Sequence, residues 1–232
     1  ELITVFLASD GPAGTQQEFT SVSAPGLPQF TLAKRANSQE GTSEVWYTYA
    51  ENKLTNVSIT ATRKNGSYRG LIDVVTFTGA AKTVGATAAA SAPNGGPSVN
   101  LTTTVPNAMV WAVGNDWDQA KVRKVGANQK ISRQFVDKKS DDTYWTQYQK
   151  SPFQYPGTMV TINDTAPTTN RWNLAAIEVV PMQLTTPTIV PITRYSLWSN
   201  DIIPANPTDS DTQATEIGVK FQSNVTGKIL GI

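Results

Sequence analysis

Short runs of alternating apolar and polar residues, broken repeatedly by turn residues, constrain this chain more than any other feature. A period of two marks a strand with one buried face, whereas a helix repeats at about 3.6. Val57, Ile59 and Ala61 alternate with Ser58, Thr60 and Thr62, and Val45, Tyr47 and Tyr49 with Trp46 and Thr48. The breaks are explicit: Asp10-Gly11-Pro12, Asn65-Gly66, Pro93-Asn94-Gly95-Gly96-Pro97 and Pro156-Gly157. Residues 71–77 and 109–113 are more continuously apolar and are expected to be central strands. Further strands are expected over 30–33, 99–105, 131–136, 143–148, 159–162 and 173–180. The Ala-rich stretch 80–92 carries Gly85 and several Thr, which argues for a loop or edge strand rather than a helix. About ten strands with no helical pattern between them predict an all-β fold, an antiparallel β-sandwich of jelly-roll or Ig-like type. The jelly roll is favoured because an Ig-like unit needs only about 100 residues.

The segment 181–191 holds Pro181, Pro187 and Pro191 without a strong turn, so it reads as a stiff, extended linker. Expected domains are therefore a sandwich over 1–180, the linker, and 192–232 as an incomplete second β module or strand-exchange segment, supplying extra C-terminal strands. Both ends of the sequence are strand-like, in Leu2, Ile3, Val5 and Phe6 and in Ile229, Leu230 and Ile232. Bare strand edges need partners, so these residues are expected either to continue into a longer polypeptide or to pair with a neighbouring copy.

Composition removes several classes of function. There is no His and no Cys, which excludes Ser-His-Asp and Cys-His catalysis, thiolate zinc sites and disulfides. Net charge is +1, with no basic surplus for a phosphate backbone, so no nucleic-acid partner is expected. No apolar run is long enough to span a membrane as a helix.

The densest polar-aromatic cluster is Asn115-Asp116-Trp117-Asp118. It offers oxygen ligands for Ca²⁺, or an indole face beside hydrogen-bonding groups for a sugar. It also reads as a turn whose Asn and Asp bond their own backbone. Asp141 and Asp142 precede Tyr144 and Trp145, and Asp164 follows Asn163. If strands bring two of these sites together, a structural Ca²⁺ becomes the expected ion, although none has EF-hand spacing. No other cofactor is expected. Arg171 lies between Asn170 and Trp172 and is expected to pair with Asp116, Asp118 or Asp164, pinning two loops. Glu44, Asp73, Asp116 and Asp118 are the acids from which a glycosidase pair would be drawn. Tyr144, Tyr148, Phe153 and Tyr155 lie in a turn-rich region and are expected to form an exposed aromatic patch.

Several of these segments resemble, in order, a β-sandwich repeat module of large secreted bacterial surface proteins. They are Gly41-Thr42-Ser43-Glu44-Val45-Trp46, Val75-Thr76-Phe77-Thr78-Gly79, Val113-Gly114-Asn115-Asp116-Trp117-Asp118, Asp142-Thr143-Tyr144-Trp145, Thr161-Ile162-Asn163-Asp164-Thr165-Ala166-Pro167 and Arg171-Trp172-Asn173-Leu174. Residues 192–232, through Tyr195-Ser196-Leu197-Trp198-Ser199 and Glu216-Ile217-Gly218-Val219-Lys220-Phe221, are similar to the opening of a second bacterial extracellular module of unknown function. The resemblance implies a secreted, extracellular, cell-surface location and carries no settled activity.

The expected function is thus a non-catalytic structural or adhesive module that self-associates, forming extracellular filaments by β-strand addition. The alternative is a carbohydrate-binding module that tethers a cell or an enzyme to an extracellular glycan. A glycoside-active enzyme stands third.

Overall fold

The computed structural model describes residues 1–183. The chain divides into two units, Glu1–Leu184 and Thr185–Ile232, and the described residues all lie in the first, which is compact. The expected second module, with Ile229, Leu230 and Ile232, lies outside the described residues. In order, the strands of the first unit are β1 (Leu2–Ser9), β2 (Phe19–Ser23), β3 (Thr31–Ala36), β4 (Thr42–Tyr49), β5 (Thr60–Arg63), β6 (Gly70–Phe77) and β7 (Thr87–Ala92). They continue as β8 (Ser98–Thr102), β9 (Met109–Asp116), β10 (Lys124–Val125), β11 (Gln129–Asp137), β12 (Asp142–Gln149), β13 (Met159–Ala166) and β14 (Trp172–Val179). The fold is all-β, and every strand pair is antiparallel.

Two main sheets form the sandwich. One has the order β3-β4-β1-β6 and the other β11-β12-β9-β14-β7. Between them lie Leu2, Phe6, Val45, Trp111, Val113, Tyr144, Ala175 and Ile177. Each main sheet is also covered on its outer face. The pair β2-β5 closes a second apolar layer with Ile3, Val5, Leu7, Phe19, Val22 and Trp46. The sheet β10-β13-β8 closes a third with Val99, Leu101, Trp145, Ile162, Trp172 and Leu174. Four layers around three cores explain why the central strands lack alternation. In β1, Leu2, Phe6 and Ala8 face one core and Ile3, Val5 and Leu7 face another, so every position is apolar or buried.

Two expectations are corrected here. Leu2, Ile3, Val5 and Phe6 do not form a bare edge: β1 pairs along its whole length with β4 on one side and β6 on the other. Conversely, residues 71–77 do not form a central strand. They make up most of β6, which ends its sheet, and its outward face leaves Ile72 46% and Val74 42% exposed. A strand apolar on both faces reads as central in sequence whether or not a neighbour covers it. The Ala-rich stretch contains an edge strand, β7, whose small side chains sit half-buried beside β14.

Candidate functional site

The register of the second sheet gathers the sequence motifs. Asp116, at the end of β9, stands opposite Thr143 at the start of β12 and opposite Trp172 at the start of β14. The motifs at 115–118, 141–145 and 170–173 therefore meet at one end of the sandwich. The loop before β4, carrying Glu40, arrives at the same end: the amides of Asn115 and Asn173 both donate to the Glu40 carbonyl at 3.0 Å.

The inner part of this cluster is a buried charge triad. Arg123 donates through Nη1 to Asp116 Oδ2 at 2.5 Å and through Nε to Asp164 Oδ2 at 2.8 Å, with all three side chains out of solvent. Its guanidinium lies 4.5 Å from the ring centroid of Trp145, and Asn170 donates to Asp116 Oδ2 at 2.7 Å. Asp116 Oδ1 accepts the backbone N–H of Asp118 at 2.9 Å and of Gln119 at 3.3 Å, so the carboxylate caps its own turn. Two carboxylates share one cation in a dry site. Burial pushes Asp164 up to about 6 against the pull of Arg123, and its Oδ1 has no hydrogen-bond partner among the described residues. Burial also raises Asp116, opposed by its backbone hydrogen bonds and by Arg123.

The outer part reaches solvent. Arg171 pairs through Nη1 with Glu40 and through Nε with Asp118, both at 2.9 Å, and its backbone N–H donates to Asp118 Oδ2 at 2.7 Å. Its guanidinium lies 4.9 Å from the Trp117 ring centroid, and Trp117 Nε1 donates to Asp10 Oδ1 at 2.7 Å. Burial works against ionisation of Glu40, yet backbone and Arg171 hydrogen bonds hold its carboxyl below the ordinary range. The Glu40 bond in turn holds Arg171 above its usual value.

The third motif braces the loop that follows β9. Asp141, in the left-handed region at φ 60°, accepts the Ala120 N–H at 2.9 Å. Thr143 donates to the carbonyls of Gln119 and Lys121. Asp142 turns inward and accepts the Tyr144 hydroxyl at 2.8 Å; burial pushes this acid up to about 6 and the phenol up as well.

The sequence motifs are thus brought to one end of the fold, but their carboxylates do not converge on a shared ion. Among the described residues, no group of three or more metal-ligating side chains is arranged to hold one. A guanidinium, from Arg123, stands where a cation between Asp116 and Asp164 would sit. No known family model matches this chain, and no curated protein or solved structure matches it either. Arg171 pairs with Asp118, one of its three expected partners, and with Glu40; Asp116 and Asp164 belong to Arg123 instead. Arg123 carried no local signal, because Lys121-Val122-Arg123-Lys124 reads as an ordinary solvated basic run.

The glycosidase candidates point into different layers. Glu44 is fully buried, on the face of the first sheet that β2-β5 covers, and accepts Phe19 N–H at 2.9 Å, Trp46 Nε1 at 2.9 Å and Arg35 Nη2 at 3.0 Å. Asp73 faces the second sheet, with Arg133 Nε at 3.5 Å. The expected aromatic patch is also corrected. Tyr144 is buried, Tyr148 stacks on Trp111 at 4.3 Å, Phe153 packs against the third core, and only Tyr155 of the four is exposed. These three sit inward because strands and the bridge at Ala108 hold them there, in a region whose turns suggested surface.

Proposed function

We propose that this chain is a non-catalytic structural or adhesive module of a secreted bacterial cell-surface protein. One observation carries the reading: the chemistry-bearing side chains of its motifs are engaged with one another. Asp116 and Asp164 hold Arg123, Asp118 and Glu40 hold Arg171, Asp142 holds Tyr144, and Asn115 and Asn173 latch the loop before β4. Such a cluster joins strand ends and loops, and its own carboxylates are bonded to Arg123, Arg171 and Tyr144 rather than paired across a cleft. Two hollows among the described residues, one beside Glu1, Ala50 and Leu54 and one beside Phe19, Ile59 and Ile72, are lined by none of these side chains. The secreted, surface location rests on the resemblance of the motifs in sequence. In this setting the module associates with copies or neighbours of its own protein, and filaments are the extended form of that association.

A second reading, a glycan-binding module, is favoured by one feature. Trp117 remains 38% exposed among Asp10, Asp118 and Arg171, a ring with polar neighbours. Incubation with a panel of soluble and cell-wall polysaccharides separates these functions. The structural reading expects no new reducing ends and no retention that Trp117→Ala abolishes. Release of reducing ends would overturn it in favour of an enzyme. Retention lost in Trp117→Ala, with stability unchanged, would establish the glycan reading.

A further inference from the structure

The outer edges of the sheets are not alike. β3 is broken by a bulge between Leu32 and Lys34 and carries Lys34 and Arg35. β11 is bulged between Ile131 and Arg133 and carries Lys130 and Arg133. β2-β5 is bulged between Phe19 and Ser21, β10 has two residues, and β7 packs against β3 and β8. Bulges, lysines and cover are the devices that keep sheet edges from pairing with other chains. β6 carries neither a bulge nor a lysine, and it meets β11 and β12 only through its inward face, where Asp73 faces Arg133. Its eight residues run in unbroken register with β1, without Lys, Arg or Pro, and show solvent Ile72 and Val74.

The free backbone groups of this edge can be assigned. Asp10 N–H donates to the Arg69 carbonyl at 3.0 Å, so that opposed pair is hydrogen-bonded. Opposed pairs alternate, so Leu71, Asp73, Val75 and Phe77 bond to β1, and Ile72, Val74 and Thr76 turn their N–H and C=O groups outward. Among the described residues no strand pairs with them.

We propose that β6 is a self-pairing edge, which joins two copies of this chain antiparallel about Val74. Two registers pair seven of the eight residues around a two-fold axis while keeping the outward groups bonded. One centres on Asp73 and sets Asp73 against its own copy, which like-charge repulsion disfavours. The other centres on Val74. It sets Val74 against Val74, Ile72 against Thr76, Asp73 against Val75 and Leu71 against Phe77, every pair free of like charge. β-Branched and aromatic pairs of this kind stabilise a ladder. The row Leu71, Val75 and Phe77, half-buried at the rim of the central core, gains a continuation in the partner. Joining in this way produces one eight-stranded sheet from two four-stranded ones. The pairing is isologous, so it closes as a dimer, and open-ended growth needs a second, different contact. It deepens the structural role proposed above and rests on it.

The absence of cysteine makes the register measurable. In the full 232-residue chain, Val74→Cys places two thiols on the two-fold axis, about 5.5 Å apart at Cα, within disulfide reach. Ile72→Cys alone places them four residues out of register, about 13 Å apart, beyond reach. Mild oxidation is expected to convert Val74→Cys to a covalent dimer, to leave Ile72→Cys without a disulfide, and to cross-link a mixture of Ile72→Cys with Thr76→Cys. Sedimentation velocity of the unmodified chain is expected to show mass rising with concentration from 25.0 kDa toward twice that value. Val74→Lys, with two ammonium groups face to face, should weaken this association roughly tenfold or more, with the unfolding midpoint unchanged at protein concentrations low enough that both proteins are monomeric. A chain that stays at 25.0 kDa, or Val74→Cys cross-linking no faster than Ile72→Cys, overturns the proposal, including the case in which another segment of the same chain covers β6. Release of reducing ends from polysaccharide would refute the structural role whatever the cross-links show. Failed cross-linking with no such release refutes edge pairing alone.

Discussion

Arg123→Met removes the one cation in the buried triad and keeps an unbranched side chain in its place. The substitution leaves Asp116 and Asp164 facing each other without solvent or a counter-charge. Breaking a buried ion pair from one side costs about 3–5 kcal/mol. Here one guanidinium serves two carboxylates and also stacks on Trp145, so a loss near the upper end, about 4–5 kcal/mol at neutral pH, is expected. That is a large share of the roughly 5–15 kcal/mol that holds an ordinary domain together. For a unit of this size it corresponds to a fall in Tm of about 10–15 °C. Urea and thermal unfolding followed by tryptophan fluorescence measure it, since Trp145 is fully buried against the triad. The deficit should shrink toward pH 4, where both acids can take up protons and the naked charges disappear. Arg171→Met, whose side chain is 35% exposed, should cost only about 1 kcal/mol. A loss below about 1 kcal/mol for Arg123→Met, or one that does not depend on pH, would refute the assignment of the triad as the clamp of this end.

Asp164→Asn tests the protonation of the same cluster. Its acid lies above the usual value in the folded chain, so the folded state holds a proton that the unfolded chain releases, and stability falls as pH rises from about 4 to about 6. The part due to Asp164 is about 3 kcal/mol, and a pH series of urea midpoints should show this slope flattened in the variant, with the Asp142 part remaining. Phe6→Ala, in the doubly paired β1, should lose about 3–5 kcal/mol by denaturant titration, whereas Ile72→Ala on the exposed face of β6 should lose under about 1 kcal/mol. Glu178 is buried with no cation beside it among the described residues, and accepts the N–H groups of Ala86, Thr104 and Val105 and the Thr104 hydroxyl. Glu178→Ala should therefore destabilise by about 3 kcal/mol and raise amide exchange at 85–86 and 104–105 before the rest of the fold.

Legibility in the sequence followed the physics of each element. Strands with one covered face, such as β8 with Val99 and Leu101 inward, declared themselves by alternation. The sandwich class followed from their number and from the turns. β2 was silent, because Phe19-Thr20-Ser21-Val22-Ser23 has only two buried positions and a bulge. β6 and β1 look alike in composition, yet one is an edge and the other a centre, because topology rather than local pattern decides which strands have two neighbours. The site showed the same division. The acidic-aromatic motifs were visible as dense polar clusters at strand ends, and Arg171 found Asp118. Arg123 was invisible because its partners lie 7 and 41 residues away, and only the three-dimensional register brings them together.

The central claim is that the motif cluster holds the fold together and does no chemistry of its own. The most direct measurement compares the unmodified chain with Arg123→Met and Asp118→Asn in two readouts taken together, unfolding free energy and action on the polysaccharide panel. The structural account predicts a graded loss of stability, largest for Arg123→Met, with no reducing ends released by any of the three proteins. Reducing ends released by the unmodified chain and lost in Asp118→Asn at unchanged stability would contradict it.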